Sequence, residues 1–446
     1  MARAAVILAA GQGTRMKSAK PKVMHAIAGL PILGHVIAAA RGAGAERIVV
    51  VMAPGASAVH DFAASQGAET AVQEQQLGTG HAAACAGEAL KDFSGTLVVT
   101  YGDHPLFTAA TFEASFAAQA QAGMAIVAFR SHNISYGRVV TTPDGLLDRI
   151  VEYRDASAAG RALDLCSAGV MTADAKSFFR WTKGLTNHNS QKEYYLTEIP
   201  LIAKAERIGC AVVEVVEAET MGANSRAELA LAEAAMQQRL RARALEAAVG
   251  MTAPDTVFFS HDTVLEADVQ VGPYVVFGPG VTVHSGAEIK AFSHLEGATV
   301  ARGAIVGPYA RLRPGAAIGE DAHIGNFVEV KNARIEKGAK ANHLSYLGDA
   351  RVGEGANIGA GTITCNYDGF DKHHTDIGAG AFIGSNAALV APVKIADGVY
   401  VGAGSVVTKT MAPDSLVVTR AEQKEIPGWA EKFRKRKRAE KAAKGK

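Results

Sequence analysis

The first half of the chain alternates short apolar runs with stretches of helical periodicity. The apolar runs have the length and the β-branched content of buried strands, and they lie at Ala4–Leu8, Arg47–Val51, Gly95–Tyr101 and Ala125–Phe129. Helical patterns lie between them, for example at Pro31–Arg41 and Gly80–Leu90. Strands that alternate with helices predict an α/β domain with a Rossmann-like, mostly parallel sheet over residues 1–226.

The next segment is purely helical in composition. Residues 227–248 contain neither glycine nor proline and are rich in alanine, leucine, glutamate and arginine, which are strong helix formers. We predict one helix here that links two domains.

The periodicity changes after residue 250. Apolar side chains recur every sixth residue from Val271 to Val330, with one five-residue step, and again from Ile377 to Val407. Neither a helix nor an ordinary strand has a period of six. In a parallel β-helix built from such repeats, three six-residue faces make one coil, and the apolar residue of each face points inward. The sequence therefore predicts a β-helix of hexapeptide repeats over residues 249–420.

Glycine content and one interruption fit this solenoid. Glycine accounts for 25 of the 196 residues after position 250 and for 22 of the 250 before it. We expect these small residues at the corners, where the backbone turns sharply. The segment Asn366–Thr375 breaks the repeat, because the spacing from Ile358 to Ile377 exceeds one coil by a single residue. Insertions in repeat proteins often form the binding face, so this loop is a functional candidate.

The charge of the chain is unevenly distributed. The 46 Lys and Arg residues nearly balance the 44 Asp and Glu residues, which argues against a polyanion as the main partner, and we expect no nucleic-acid partner for the body of the protein. The segment Lys432–Lys446, however, holds nine basic residues and one acidic residue, so the rest of the chain carries 37 basic and 43 acidic residues. We expect residues 421–446 to form a basic C-terminal tail in which the segment Lys432–Lys446 is disordered and solvated. The alternative is that this run binds nucleic acid or an anionic surface.

The cysteines and the apolar runs bear on the compartment. The four cysteines lie far apart and form no CxxC pair, at Cys85, Cys166, Cys210 and Cys365. This spacing is typical of reduced thiols in a cytoplasmic protein. No stretch reaches the roughly 18 apolar residues of a membrane-spanning helix, so we expect no membrane span.

A glycine-rich turn follows the first predicted strand, with Gly11, Gly13, Arg15 and Lys22 close together in sequence. Backbone N–H groups of such a turn can approach phosphates, a following helix N-terminus favours anions, and basic side chains can stabilise developing phosphoryl charge. The dinucleotide-binding fingerprint does not fit, because Met16 stands where a small residue is needed, and a Walker A loop would need Gly-Lys-Ser/Thr. A glycine turn without a ligand is the remaining alternative.

Several motifs in order carry a resemblance to a known family. They are L-A-A-G-x-G-T-R-M followed by P-K, Gln73–His81, Tyr101-Gly102-Asp103, Tyr136-Gly137-Arg138, Ile150–Glu152, Glu193–Glu198 and Gly222–Arg226. This set resembles the signature of the sugar-1-phosphate nucleotidylyltransferases. With the hexapeptide half, the chain to about Arg420 resembles the bacterial bifunctional UDP-N-acetylglucosamine pyrophosphorylases/glucosamine-1-phosphate N-acetyltransferases. The resemblance implies that the β-helix is left-handed.

The chemistry of the first set suits uridylyl transfer. A glutamine amide can answer both the donor and the acceptors of uracil, which suits Gln73 and Gln76. Asp103 ends a strand at the carboxyl edge of the sheet, where ligands bind in open α/β sheets, and a carboxylate there can hold Mg²⁺. The resemblance adds Asn224 as the second metal ligand and implies a site for UTP and the sugar nucleotide at these positions: Leu8, Ala9, Ala10, Gly11, Lys22, Gln73, Gln76, Gly78, Thr79, Tyr101, Gly102, Asp103, Gly137, Glu152, Ser167 and Asn224. Arg15 and Lys22 are the expected catalytic cations.

Two positions depart from the family pattern. Ser167 stands where the family usually has asparagine, and a hydroxyl is shorter and lacks the paired groups of the amide. His104 replaces an apolar residue often seen after the aspartate, and we expect little consequence from this change.

A second set of residues lies in the solenoid. Arg313 and Lys331 are separated by 18 residues, which is one coil of the repeat, so they are expected to stack on one face as a two-cation phosphate clamp. His343 suits a general base for a sugar amine, because histidine titrates near neutrality. The resemblance implies sugar-phosphate contacts from Arg313, Lys331, Tyr346, Asn357 and Lys372. It implies acetyl-CoA contacts from Ala360, Asn366, Tyr367, Ser385, Ala403 and Arg420.

Together these features predict a cytoplasmic bifunctional enzyme, and the resemblance implies a homotrimer with acetyl-CoA bound between subunits. A zinc site formed between subunits by His323, His343, His373 or His374 is a competing hypothesis for the solenoid. For the whole chain, the alternatives are a nucleotidylyltransferase with a regulatory solenoid and a non-catalytic assembly protein that retains both folds.

Overall fold

The structure is a computed structural model that describes residues 1–133, 136–153 and 155–444. It divides into two compact units: residues 1–244 with 258–261, and residues 245–257 with 262–444. In the described residues, no helix is both long and apolar enough to cross a membrane.

The first unit is built on a mostly parallel sheet. Its nine strands are β1 (Arg3–Ala9), β2 (Ala45–Met52), β3 (Glu69–Val72), β4 (Thr96–Tyr101), β5 (Gly123–Arg130), β6 (Arg138–Thr141), β7 (Leu147–Val151), β8 (Leu165–Asp174) and β9 (Gly209–Val215). The main order is β9-β5-β8-β4-β1-β2-β3, and β6 extends β8 towards β7. Strand β8 runs antiparallel to both of its main neighbours, whereas β1 is parallel to β2 and β4. A two-stranded hairpin, Ala26–Ile27 with Leu30–Pro31, lies outside this sheet.

The helices of the described chain are α1 (Ile32–Gly42), α2 (Ser57–Ser65), α3 (Thr79–Cys85), α4 (Ala109–Ala122), α5 (Ala158–Arg161), α6 (Ala175–Thr182), α7 (Ile199–Ala205), α8 (Arg226–Glu246) and α9 (Trp429–Ala443). The strands β1, β2, β4 and β5 confirm the predicted apolar runs. Their side chains are apolar on both faces, because two separate apolar clusters cover the two sides of the sheet.

Helix α8 confirms the predicted helix within two residues at each end. It packs within the first unit through buried Ala232, Met236 and Leu240. Gln237 exchanges two hydrogen bonds with the backbone of Phe259, at 2.7 and 2.8 Å. The segment predicted as a linker is therefore largely a structural part of the first unit.

The second unit is a parallel β-helix. One face consists of Gly250–Met251, Gln270–Val271, Glu288–Ile289, Ile305–Val306, His323–Asn326, Lys340–His343, Asn357–Ile358, Phe382–Ile383, Tyr400–Val401 and Leu416–Val417. The other strands are Val264–Leu265, Val276–Phe277, Thr282–Val283, His294–Leu295, Ala298–Val300, Arg311–Leu312, Ala316–Ile318, Glu329–Ile335, Tyr346–Val352, Ile363–Cys365, Thr375–Ile377, Ala388–Val390, Val393–Ile395 and Val406–Val407. The period-six residues from Val271 to Val330 and from Ile377 to Val407 are buried, which confirms the predicted inward positions.

Three details of the second unit differ from expectation. Ile358 pairs with Ile383, so the excursion at residues 366–374 lengthens its coil by seven positions rather than by one. Gly325 and Gly384 do not sit at left-handed corners. A Cβ at either position would lie 2.0 or 2.4 Å from the backbone of the next coil, so close stacking of the coils requires them. The predicted disorder of residues 432–446 is wrong for the part of this segment that lies in α9, since its alanine, lysine, arginine and glutamate residues favour a helix. Residues 445 and 446 lie outside the described chain.

Candidate active sites

A large cavity of the first unit lies at the carboxyl ends of β1 and β4. Its volume is about 950 Å³. Its lining includes the predicted catalytic Arg15 and most of the residues predicted for the sugar nucleotide: Leu8, Ala9, Ala10, Gly11, Lys22, Gln73, Gln76, Gly78, Thr79, Tyr101, Asp103, Ser167 and Asn224. Gly102 donates its N–H to the Leu8 carbonyl at 2.9 Å and joins the two strand ends below the cavity. Gly137 and Glu152 are not lining residues, but they lie side by side, and Ser167 donates its N–H to the Gly137 carbonyl at 2.9 Å.

The glycine-rich turn leads into a short 3₁₀ turn. Residues Thr14–Met16 form this turn, and the first α-helix begins only at Ile32. No α-helix therefore begins directly after the turn in this described segment, contrary to expectation. The positive charge that the turn offers to a phosphate comes instead from Arg15, Lys22 and the N–H groups of the turn. Gly13 has a φ of 61°, and a Cβ there would lie 2.8 Å from the Lys22 Cβ. Glycine at this position lets the two parts of the loop meet.

Lys22, Asp103 and Asn224 converge on one point at the sheet edge. The Lys22 ammonium forms an ion pair with Asp103 Oδ2 and donates to Asn224 Oδ1 at 2.9 Å. The Lys22 and Asp103 side chains are only 13% and 15% exposed. Burial alone would raise the pKa of Asp103, but the charges and hydrogen bonds of His104 and Lys22 outweigh it and hold that pKa well below its usual range. Asp103 is therefore an anion at neutral pH.

This arrangement suits a magnesium ion. The Asp103 and Asn224 oxygens already point at a common cationic group, the Lys22 ammonium. Mg²⁺ is held in proteins by one or two such oxygen ligands, with water and phosphate oxygens completing its shell. No group of three or more His, Cys, Asp or Glu side chains suited to a metal occurs among the described residues, so Asp103 and Asn224 would leave the rest of the ion's shell to water and phosphate oxygens.

Two further residues support this cluster through contacts that the sequence did not predict. His104 Nδ1 is hydrogen-bonded to Asp103 Oδ1 at 2.9 Å, and its ring packs between Tyr101 and Phe107. Glu228 accepts the N–H of Asn224 at 2.8 Å. Ser225 also accepts the N–H of Glu228, so the S-x-x-E signature of a helix start was a usable signal for this contact. His104, for which little consequence was expected, contacts the key carboxylate directly.

The two glutamines are fixed by backbone groups. Gln76 Nε2 donates to the Ala10 carbonyl at 2.7 Å, which joins the glycine-rich turn to the segment before α3. Gln73, which is 3% exposed, places its Nε2 3.1 Å from both the Gly78 carbonyl and His81 Nδ1. Both amide protons of Gln73 have protein partners, so its carbonyl oxygen remains for a ligand.

Tyr101 and its neighbours form another part of the site. Gly169 has a φ of 73°, and a Cβ there would lie 2.0 Å from the Tyr101 ring, so only glycine leaves room for the ring. Burial, followed by the Glu152 and Asp103 charges, raises the pKa of Tyr101 well above its usual range. Burial also raises the pKa of Glu152, whose Oε1 accepts the Thr197 hydroxyl at 3.0 Å. Ser167 Oγ accepts the Gly169 N–H at 3.3 Å.

The solenoid carries a cluster of positive charge. The strands that lead to Arg313 and Lys331 pair in register, so the two residues lie on adjacent coils of one face, as their spacing of one coil predicts. The Lys372 ammonium is close enough to Lys331 to lower the pKa of Lys331. Arg313 also donates to Glu329 Oε1 at 2.8 Å, and Tyr346 is in register with Glu329. Asp349 is the other carboxylate near Lys331 and Lys372, so the cluster keeps an excess of positive charge that suits a phosphate.

His343 lies on a neighbouring face and has a fixed partner. Its Nδ1 is 2.7 Å from Asn326 Oδ1, and the two residues are in register on adjacent strands. An amide oxygen can only accept, so Nδ1 carries the proton and Nε2 is free to act as a base. Asn326 and His343 are separated by close to one coil in sequence, and this spacing was a signal for Asn326 that sequence analysis missed. Asn357 lies on the next coil of the same face, in register with Lys340.

The residues expected at acetyl-CoA follow the coils in register. Ala360, Ser385 and Ala403 each lie two residues beyond Ile358, Ile383 and Val401, which pair in that order. Arg420 donates to the Ala403 carbonyl at 2.7 Å. Asn366 donates to Asp349, and Tyr367 pairs with Lys372 across the excursion, so this loop is a small hairpin.

Two of the four histidines of the competing zinc hypothesis have other side-chain partners. His373 is 2.8 Å from Asp368, and His343 contacts Asn326. The described part of a single chain brings no three potential zinc ligands together.

Comparison with known proteins bears on both units. Residues 5–169 match the MobA-like NTP transferase domain, and residues 374–409 match the bacterial transferase hexapeptide (six repeats). Both matches confirm the predicted fold class, which is a nucleotidyltransferase α/β domain joined to a left-handed β-helix. A solved structure of UDP-glucose pyrophosphorylase with UDP-glucose covers 54% of this chain and all of its own, with a TM-score of 0.45 and 17% identity, which is too low a similarity to bear on function.

Curated relatives match over nearly the whole length. The bifunctional protein GlmU of Paramagnetospirillum magneticum is 51% identical over 445 residues, covering 99% of this chain and 98% of its own. That of Rhodospirillum rubrum is 54% identical and covers 97% of each chain, and that of Hyphomonas neptunium is 53% identical and covers 99% and 96%. Identity at this level over both units shows that the chain belongs to the bifunctional GlmU family of transferases.

Proposed function

We propose that the chain catalyses two successive steps of UDP-N-acetylglucosamine synthesis. The solenoid transfers an acetyl group from acetyl-CoA to glucosamine 1-phosphate. The first unit then transfers the uridylyl group of UTP to N-acetylglucosamine 1-phosphate and releases pyrophosphate. The observation that carries the first unit's role is the convergence of Lys22, Asp103 and Asn224 at the mouth of the cavity.

In the uridylyl transfer, an oxygen of the sugar phosphate attacks the α-phosphorus of UTP in line, and the bond to pyrophosphate breaks. Asp103 and Asn224 would hold Mg²⁺, which supplies neutralisation of phosphate charge when bound. Arg15 and Lys22 stabilise the charge that develops on the transferred group. The free Gln73 carbonyl accepts the N3–H of uracil, and Gln76 fixes the turn beneath it. Ser167 faces the sugar from the cavity wall, and Gly137 and Glu152, next to it, are the further sugar contacts that we propose.

In the acetyl transfer, Arg313, Lys331 and Lys372 hold the phosphate of glucosamine 1-phosphate, with Tyr346 and Asn357 beside it. His343 Nε2 takes the proton of the sugar amine as its nitrogen attacks the thioester carbonyl. The C–S bond breaks, and coenzyme A leaves as its thiolate, which takes up the proton held by His343 and becomes the free thiol. Ala360, Asn366, Tyr367, Ser385, Ala403 and Arg420 hold acetyl-CoA. We also propose a cytoplasmic homotrimer, in which acetyl-CoA binds between subunits; all four cysteines are free thiols, as the cytoplasm would keep them.

The test is to assay the two half-reactions on the same variants. Pyrophosphate release from UTP and N-acetylglucosamine 1-phosphate reports on the first unit, and thiol release from acetyl-CoA and glucosamine 1-phosphate reports on the second. Asp103→Ala should abolish the first activity and spare the second, and His343→Ala should do the reverse. Chelation by EDTA should stop only pyrophosphate release, and added Mg²⁺ should restore it.

Matched controls are available on the same units. Asp61→Ala on α2 and His294→Ala on the solenoid remove exposed groups of the same kinds and should leave both activities intact. Loss of both activities in either active-site variant, with an unchanged thermal unfolding midpoint, would contradict the two-site assignment. Pyrophosphate release without any acetyl-CoA-dependent thiol release would favour the monofunctional alternative with a regulatory solenoid.

A further inference from the structure

The excursion hairpin of the solenoid, residues 366–374, is tied to the preceding coils through one carboxylate. Asp349 Oδ1 accepts a hydrogen bond from the Asn332 amide at 2.6 Å, and Asp349 Oδ2 accepts one from the Asn366 amide at 2.5 Å. Asn332 lies opposite Asp349 on the preceding coil, and Asn366 lies on the following coil. Asp349 therefore links three successive coils at one corner of the solenoid.

The hairpin depends on this corner because Asn366 is its first residue. Asn366 is 7% exposed, so its amide is largely hidden from water and needs a protein acceptor. The Asn366 carbonyl accepts the N–H of His373 at 2.8 Å, which closes the hairpin. Within the hairpin, Asp368 accepts two backbone N–H groups and contacts the His373 ring. The hairpin is thus braced internally, and Asp349 fixes its base to the solenoid.

Asp349 also supplies negative charge beside two lysines of the proposed phosphate site. Burial raises the pKa of Asp349, but the two amides and then the charges of Lys372 and Lys331 outweigh burial and lower that pKa. Lys331 and Lys372 are close to each other, since the hydrogen bond and the charge of Lys372 lower the pKa of Lys331. Two ammonium groups at short range repel each other, and a nearby anion offsets this repulsion.

We propose that Asp349 is a positioning residue of the acetyl-transfer site. It holds the base of the excursion hairpin and offsets the repulsion between Lys331 and Lys372, so that both lysines reach one substrate phosphate. The hairpin also carries Asn366 and Tyr367, which are proposed acetyl-CoA contacts, so one anchor serves both substrates. This inference rests on the proposed acetyl transfer and adds to it a residue that acts through Lys372 and Asn366.

Simple electrostatics predicts the opposite result for the phosphate. A carboxylate beside two lysines repels a phosphate, so its removal would tighten the binding of glucosamine 1-phosphate if the lysines stayed in place. If Asp349 positions the lysines, its removal weakens that binding. A purely structural corner would lower Tm and leave both KM values unchanged. The direction of the change in KM therefore separates the three roles.

The test is steady-state thiol release by the full-length enzyme, with each substrate varied in turn. Asp349→Ala should raise the KM for glucosamine 1-phosphate and the KM for acetyl-CoA at least about tenfold, because two hydrogen bonds to a charged acceptor are lost. Asp349→Asn keeps one amide acceptor and a side chain that tolerates the left-handed backbone, whose φ is 47°. It should raise both KM values by a smaller factor. Pyrophosphate release should be unchanged in both variants.

Two further variants complete the design. Asp321→Ala is the matched control, because Asp321 occupies another left-handed corner of the solenoid, at a φ of 54°, and is exposed. It should leave both KM values unchanged. Lys372→Met tests whether Asp349 acts through the hairpin lysine. In that background, Asp349→Ala should raise the KM for glucosamine 1-phosphate by less than about twofold, because two changes to one coupled unit do not multiply.

The inference is overturned if folded Asp349→Ala has an unchanged or lower KM for glucosamine 1-phosphate, if the two changes multiply in the double variant, or if Asp321→Ala shows the same rise. Absence of thiol release in the unaltered enzyme would instead contradict the proposed acetyl transfer itself, so the two failures are distinguishable.

Discussion

The hydrogen bond between Asn326 and His343 is the contact on which the acetyl-transfer role depends most directly. At 2.7 Å, the Asn326 oxygen accepts from Nδ1 and keeps Nε2 unprotonated for the amine. Asn326→Ala removes this acceptor while leaving both coils in place, because the side chain is only half-buried. A neutral hydrogen bond contributes about 0.5–1.5 kcal/mol, which corresponds to a loss of about 2- to 12-fold in the acetyl-transfer rate.

The assay is thiol release under saturating acetyl-CoA, with pyrophosphate release from the same preparation as the internal control. Asn326→Asp is the matched variant, because a carboxylate keeps the acceptor in place. It should retain most of the activity, and its added negative charge, which favours protonated histidine, should move the acid limb of the pH–rate profile to higher pH. The reasoning fails if Asn326→Ala is fully active, if Asn326→Asp loses as much as Asn326→Ala, or if pyrophosphate release falls in parallel.

Three further predictions concern the first unit. Gly169→Ala should lower the free energy of unfolding by about 1–3 kcal/mol and raise the KM for UTP. The reason is that the backbone of residue 169 is left-handed and that an added Cβ would overlap the Tyr101 ring. An unchanged denaturation midpoint would contradict this. Glu152→Gln should raise Tm at pH 8, because burial raises the pKa of the Glu152 carboxyl and so makes its charged form unfavourable in the folded state. The gain in Tm should shrink as the pH falls towards 5, where the carboxyl is increasingly neutral, and a gain that grows in acid would be contrary evidence. His104→Leu should weaken Mn²⁺ binding, measured by electron paramagnetic resonance, about tenfold, since it frees Asp103 to turn; equal affinity would show that the contact is dispensable.

The sequence alone was sufficient for the architecture wherever the structure depends on local repetition. The six-residue period predicted a β-helix, because each coil buries one apolar residue per face against the next coil. Val271, Ile289 and Val306 are 2% exposed or less, as that period requires. The same regularity put Arg313 and Lys331 on one face, since a fixed coil length converts sequence spacing into distance.

Where the repeat is broken, sequence spacing was misleading. The separation of Ile358 and Ile377 suggested an excursion of one residue, but the pairing of Ile358 with Ile383 shows seven. Loop residues follow no period, so their count does not reveal which strand resumes the coil. The prediction of disorder for the basic tail was likewise misleading, because it rested on the charge of the tail and not on the high helix propensity of its residues.

The sequence by itself determined the two folds, the family and most of the residues around the cavity, because these depend on local patterns and motifs. Only the tertiary structure decided that Lys22, Asp103 and Asn224 share one point although 202 residues separate Lys22 from Asn224. It alone revealed His104 against Asp103 and Asn326 against His343. Such contacts depend on side-chain direction and on register between distant strands, and a single sequence carries no local periodicity that encodes either.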